Sequence, residues 1–109
     1  MEIKFRQWTN DEYAHIIDYH NMWILYHIDL NKVEQFTGLT DKNGVEIYEG
    51  DIVSNVIYAD GSKHIGRIVY DYSGYRIVTE DKSLILDLTE LLVVIGNIHE
   101  NPELLEVKE

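Results

Sequence analysis

Turn signals recur so closely through the middle and end of this chain that no long periodic helix is needed. Asp41-Lys42-Asn43-Gly44, Glu49-Gly50-Asp51, Asp60-Gly61, Ser73-Gly74 and Gly96 each follow a short apolar or alternating run. Asn43 and Gly44 both tolerate positive φ, so the pair suits the centre of a hairpin turn. Glu49-Gly50-Asp51 reads as a second reversal, set between Ile47-Tyr48 and the strand-like Ile52-Val53. Turn, short strand, turn, strand is how a small β-meander or barrel begins.

The rest of the chain agrees with that start. Over residues 1–8, Ile3, Phe5 and Gln7 fall on one side of a strand, and Lys4, Arg6 and Trp8 on the other. Residues 13–28 read two ways. As a helix, Tyr13, Ile16, Ile17, His20, Trp23, Ile24 and His27 share a face. As strands, residues 13–19 run out, His20-Asn21 turns, and residues 22–28 return. Heavy use of Ile, Tyr and Trp favours the hairpin. Residues 33–37 form a strand that Gly38 ends. Residues 52–58 and 64–72 pair across Asp60-Gly61, residues 75–79 follow, and residues 91–95 form a buried strand ended by Gly96. Asn101 as N-cap and Pro102 at the first helical position start a short C-terminal helix.

At 109 residues the chain makes one domain, long enough for a core without covalent staples. Cysteine is absent, which excludes a disulfide framework and fits a reducing cytoplasm. No apolar run approaches a membrane span, and no secretory signal opens the chain. Twenty acidic residues face nine Lys and Arg, for a net charge of −11. The bases are scattered, so direct nucleic-acid binding is disfavoured. The acidity serves solubility, or else forms a face that meets a basic partner.

Three groups of side chains have chemical potential. His15, His20 and His27, with Asp18 among them and Asp29 just after, are the right ligand types for a divalent metal, but their spacing fits no tight site. Glu46, Glu49 and Asp51 cluster beside the central turns. A carboxylate pair can do acid–base work, yet a carboxylate after a turn glycine more readily accepts backbone N–H groups. Trp8, Tyr13, Tyr19, Trp23 and Tyr26 crowd the first quarter. A two-stranded hairpin cannot bury both its faces, so one face is a candidate contact surface. No nucleophile elbow, phosphate loop, dinucleotide fingerprint or paired metal motif occurs. The sequence therefore predicts no catalytic residue, no cofactor and no metal.

The central run Gln-Phe-Thr-Gly-Leu-Thr-Asp-Lys-Asn-Gly-Val-Glu-Ile-Tyr-Glu-Gly-Asp-Ile-Val, residues 35–53, resembles the hallmark of the YopX family, small proteins of bacteriophages and prophages. Ile3-Lys4-Phe5-Arg6-Gln7-Trp8 is similar to the family's opening strand, and residues 94–105 to its closing signature. Gln7 stands where an Ala is common, and residues 13–32 follow no family pattern. The resemblance implies a β-rich fold and a phage context, and it brings no active site.

The combined expectation is a mainly β protein: a small SH3-like barrel over residues 33–98, an N-terminal β-hairpin layer over residues 1–32, and a short helix and tail over residues 99–109. Gly38, Asp41, Asn43, Gly44, Gly50, Asp51, Gly96 and Pro102 are its structural hallmarks. The functional expectation is a cytoplasmic, non-enzymatic accessory protein that works through a protein partner or as a homo-oligomer, without membrane or nucleic-acid contact. An acidic nucleic-acid mimic and a metal-dependent enzyme built on the early histidines are the alternatives.

Overall fold

The computed structural model describes residues 4–9, 11–16, 33–71, 74–87 and 89–105. The architecture is mainly β, and curled antiparallel sheets form a half-barrel. The strands are β1 (Phe5–Thr9), β2 (Glu12–Ile16), β3 (Val33–Thr40), β4 (Glu46–Tyr48), β5 (Asp51–Ile57), β6 (Lys63–Asp71), β7 (Gly74–Val78), β8 (Ser83–Ile85) and β9 (Val93–Asn97). One sheet has the order β2-β1-β3-β4, the other β8-β7-β6-β5-β9. The N-terminal hairpin β1–β2 thus shares a sheet with the first strands of the central run. The reversal expected at His20-Asn21 lies outside the described residues.

The central turns differ in detail from their sequence reading. The Gly44 N–H donates to the Asp41 carbonyl at 3.0 Å, and the Asp41 N–H donates to the Val45 carbonyl at 2.8 Å. Only Gly44 is left-handed, at φ +80°; Asn43 is not. This is the three-residue hairpin loop in which one left-handed residue ends the turn. The same pair of bonds recurs at Tyr58 and Ser62. Gly38 does not end β3; the strand continues to Thr40, and its register against β4 shifts between Phe36 and Thr40.

Glu49-Gly50 is not a hairpin turn. β4 pairs with β3, while β5 pairs with β6 and β9, so this corner carries the chain from one sheet to the other. Gly50 is pinned there from both sides. Its N–H donates to the Ile68 carbonyl and its carbonyl accepts from Ile98.

The core lies on one face of the five-stranded sheet. Val53, Val56, Tyr58, Ile68, Ile77, Leu86 and Leu92 line it, and Ile47 reaches in from the other sheet, fully buried. Alternation along β6 explains the sidedness: Gly66 and Ile68 point inward, Ile65 and Arg67 outward. Gly96 lies inside β9 rather than after it, and Leu92 supplies the buried apolar side chain just before the strand. The expected C-terminal helix is a single 3-10 turn, Pro102–Leu105. The Asn101 side chain does not cap it. Instead its amide oxygen accepts from the Asn97 N–H, and a Cβ on Gly96 would come within 2.4 Å of that oxygen. Among the described residues no helix is long and apolar enough to cross a membrane.

Candidate functional site

The register of the first sheet builds the site. Arg6 on β1 lies directly opposite Glu34 on β3. A cross-strand pair of opposite charge at that spacing meets without distortion. Arg6 Nε donates to Glu34 Oε1 at 3.0 Å, and one Arg6 terminal nitrogen donates to Asp51 Oδ1 at 2.7 Å. That nitrogen also donates to the Glu49 carbonyl at 3.2 Å. The guanidinium lies over the rings of Tyr13 and Tyr48, 3.7 and 4.5 Å from their centroids. Arg6, Glu34 and Asp51 are all buried. A fully fixed guanidinium suits this place because its planar fork satisfies several acceptors at once.

Around this centre the remaining groups are also engaged. Asp51 Oδ2 accepts the Tyr48 N–H at 2.8 Å, which fixes the sheet-changing corner. Glu34 Oε2 meets His99 Nε2 at 3.2 Å, and it fills the space a side chain on Gly50 would need. Glu49 Oε1 accepts the Gln35 N–H at 3.2 Å. Burial pushes the Asp51 carboxyl above its ordinary range, against the pull of Arg6. Burial likewise raises Glu49, with the neighbouring Glu34 charge adding to it. Burial and then the Glu34 carboxylate hold the Tyr13 phenol protonated far above its usual range.

The outer surface of the cluster is aromatic. His99 stacks on Trp8 with centroids 5.0 Å apart and planes 6° from parallel, and Tyr13 meets Trp8 edge-on at 4.9 Å. A cleft of about 270 Å³ opens beside it, with Glu34, Glu49, His99 and the exposed Tyr70 on its walls. Tyr70 leans on Tyr75, whose hydroxyl donates to the Phe36 carbonyl and whose pKa burial pushes up to about 12.

The sequence candidates distribute unevenly over this picture. Trp8, Tyr13, Gly50 and Asp51 come together in it. Glu46 pairs with Lys4 instead. Asp41 ties the first hairpin to β9: its carboxylate accepts from Asn43, Val45 and Val94. His15 sits in β2 opposite Arg6. Tyr19, Trp23, Tyr26, His20, His27, Asp18 and Asp29 lie outside the described residues. Among the described residues no three His, Asp or Glu side chains converge as metal ligands. Arg6, Glu34 and His99 were not singled out by sequence reasoning. The available signal was the alternation of β1, which puts Arg6 on the same strand face as Trp8.

The geometry defines a class before it defines a family: a small half-barrel whose two sheets are fastened by a buried, multiply bonded arginine beneath an aromatic surface. The chain belongs to the YopX family, whose model, described as YopX protein, matches residues 2–106. It is also similar to protein EF1440 from Enterococcus faecalis, known from a crystal structure. The two share 31% identity with a TM-score of 0.53, over 93% of this chain and 74% of that one. No functionally curated protein matches the chain.

Proposed function

We propose that this protein is a non-enzymatic accessory protein of bacteriophages and prophages, working in the bacterial cytoplasm through protein–protein contact, self-association included. The observation that carries this reading is the surface formed by Trp8, Tyr13 and His99 beside Tyr70. Tyr70 is 55% exposed, next to a half-buried stack. Aromatic side chains of this kind dominate contact energetics, because they bring large area at low entropic cost. The carboxylates below them favour a fastening role over catalysis. Each of Glu34, Glu49 and Asp51 already accepts bonds that hold the fold, whereas a general base needs a lone pair directed at substrate.

Sedimentation velocity of the full chain up to millimolar concentration tests the self-associating form. A mass above the monomer that falls back with Tyr70→Ser is expected. A strict monomer, combined with no cross-link from a photoreactive group at position 70 in host cells, would remove the proposal.

A further inference from the structure

A groove of about 850 Å³ runs between the outer face of β6 and the C-terminal 3-10 turn, and it meets the cleft beside the Arg6 cluster at Arg67. Its walls differ in character. Lys63, Ile65 and Arg67 alternate along β6 and all point outward. Leu104 and Leu105 of the turn, which packs against β6, form the facing apolar side.

The charge of this groove runs against the rest of the molecule. The chain has nine Lys and Arg against twenty acids. Most described cations are nonetheless engaged. Lys4 pairs with Glu46, Arg6 with Glu34 and Asp51, Arg76 donates to Ser83, and Lys82 lies over Tyr58. Lys42, on the exposed hairpin turn, apart, Lys63 and Arg67 are the exceptions: neither makes an ion pair among the described residues. Four residues apart on one strand, their Cα atoms are roughly 13 Å apart. A lysine and an arginine side chain together span that distance above Ile65.

The backbone is also unusual here. Asn55, on the wall of the groove, has φ +64°, and the β5–β6 register shifts between Val53 and Val56. Bulges and left-handed non-glycine residues concentrate beside binding sites, where they re-aim a side chain. Glu80, also on the wall, makes its own part of the groove unfavourable for an anion.

We propose that this groove is a binding site for an amphiphilic organic anion. Its carboxylate or phosphate ester sits between Lys63 and Arg67, and its apolar body lies on Ile65, Leu104 and Leu105. The volume is in the range of about 300–1,000 Å³ usual for small-ligand sites. The inference does not rest on the contact function proposed above, since it uses none of Trp8, Tyr13, His99 and Tyr70, although the two clefts meet at Arg67.

Calorimetric titration of the full chain with decanoate and with decyl phosphate, each below its micellar concentration, tests it. Saturable one-to-one binding is expected from at least one, and which of the two is tighter tells a carboxylate from a phosphate head. Inorganic phosphate alone is expected to bind at least about tenfold more weakly, because it makes no apolar contact. Lys63→Gln and Arg67→Gln are surface changes that leave the core intact. Each is expected to weaken binding about tenfold, the usual scale for losing one charge-assisted contact. Absence of saturable binding by both amphiphiles would overturn the proposal. So would affinity unchanged in the double variant, equal binding of inorganic phosphate, or binding lost instead in Ile85→Ser, on the apolar cleft near β8 that adjoins the groove at Asn55.

Discussion

Arg6 holds the two sheets together with bonds that no other side chain type can reproduce at that point. Its partners are buried with it, so removing the cation strands two carboxylates in a dry site. Breaking a buried pair on one side typically costs about 3–5 kcal/mol, because the uncompensated charge remains. Arg6→Met is therefore expected to lower the unfolding free energy by about 3–5 kcal/mol, read from urea denaturation. Arg6→Lys should fall between, since an ammonium cannot reach Glu34, Asp51 and the Glu49 carbonyl together. Glu49 carries the opposite lesson. Its pKa is raised above the usual 4.5, burial being the chief cause. The native state therefore keeps that proton to higher pH than the unfolded chain. The stability this contributes is full below about 4.5, and it is lost as pH rises through the raised value. Glu49→Gln cannot ionise, yet it keeps an oxygen for the Gln35 N–H. Its stability relative to the parent protein should be more favourable at pH 7 than at pH 4, by denaturation at both. An equal difference at the two values would show that the site does not resist the charge.

At the scale of elements, Gly50 sets the path between the sheets, and Gly44 and Asp41 set the first hairpin. Gly44 and Gly50 both have positive φ, but only Gly50 has a neighbour in the way. A Cβ there would lie 2.1 Å from Glu34 Oε2, while nothing lies within 4 Å at Gly44. Glu34 cannot easily withdraw, because Arg6 and His99 hold it. Gly44→Ala should cost about 1 kcal/mol, the backbone term alone. Gly50→Ala should cost at least twice as much, and thermal melts of the two variants rank them. Asp41 is the second fastening. Burial acts to raise its pKa, but the N–H groups of Val94, Val45 and Asn43 outweigh it, and the net shift is downward. It stabilises the fold above its usual 3.8, and that contribution fades as pH falls through the lowered value. Asp41→Ala is expected to cost about 2–4 kcal/mol at neutral pH, from donors left without an acceptor.

These elements also mark how far the sequence could be read. The strands of the second sheet and the turn at Gly44 follow from local pattern, because turn chemistry and alternation act within a few residues. The role of Gly50 does not. Whether a glycine reverses a hairpin or hands the chain to another sheet depends on which strands pair, and β4 finds β3 instead of β5. Arg6–Glu34 was hidden for the same reason. Its partners are 28 residues apart in the chain, and only the β1–β3 register brings them opposite. Asn101 reads as a helix cap by composition, yet the close approach allowed by Gly96 turns its side chain toward Asn97.

Over the whole molecule, net charge opposes the proposed self-association. A formal charge of −11 on a chain of this size repels a second copy at long range. The aromatic surface at Trp8 and Tyr70 acts only at contact, and apolar burial is little weakened by simple salt. The Debye length shrinks from about 30 Å at 0.01 M to about 10 Å at 0.1 M, so moderate salt removes most of the repulsion between approaching copies. Self-association is therefore expected to strengthen as sodium chloride rises from low to physiological concentration, with the weight-average mass from sedimentation equilibrium increasing. Tyr70→Ser should flatten that dependence, because it removes the attraction that screening uncovers. If the mass instead fell with added salt, oppositely charged patches would be holding the copies together. The cationic groove of Lys63 and Arg67, meeting the acidic surface of another copy, would then replace the aromatic surface as the place of contact.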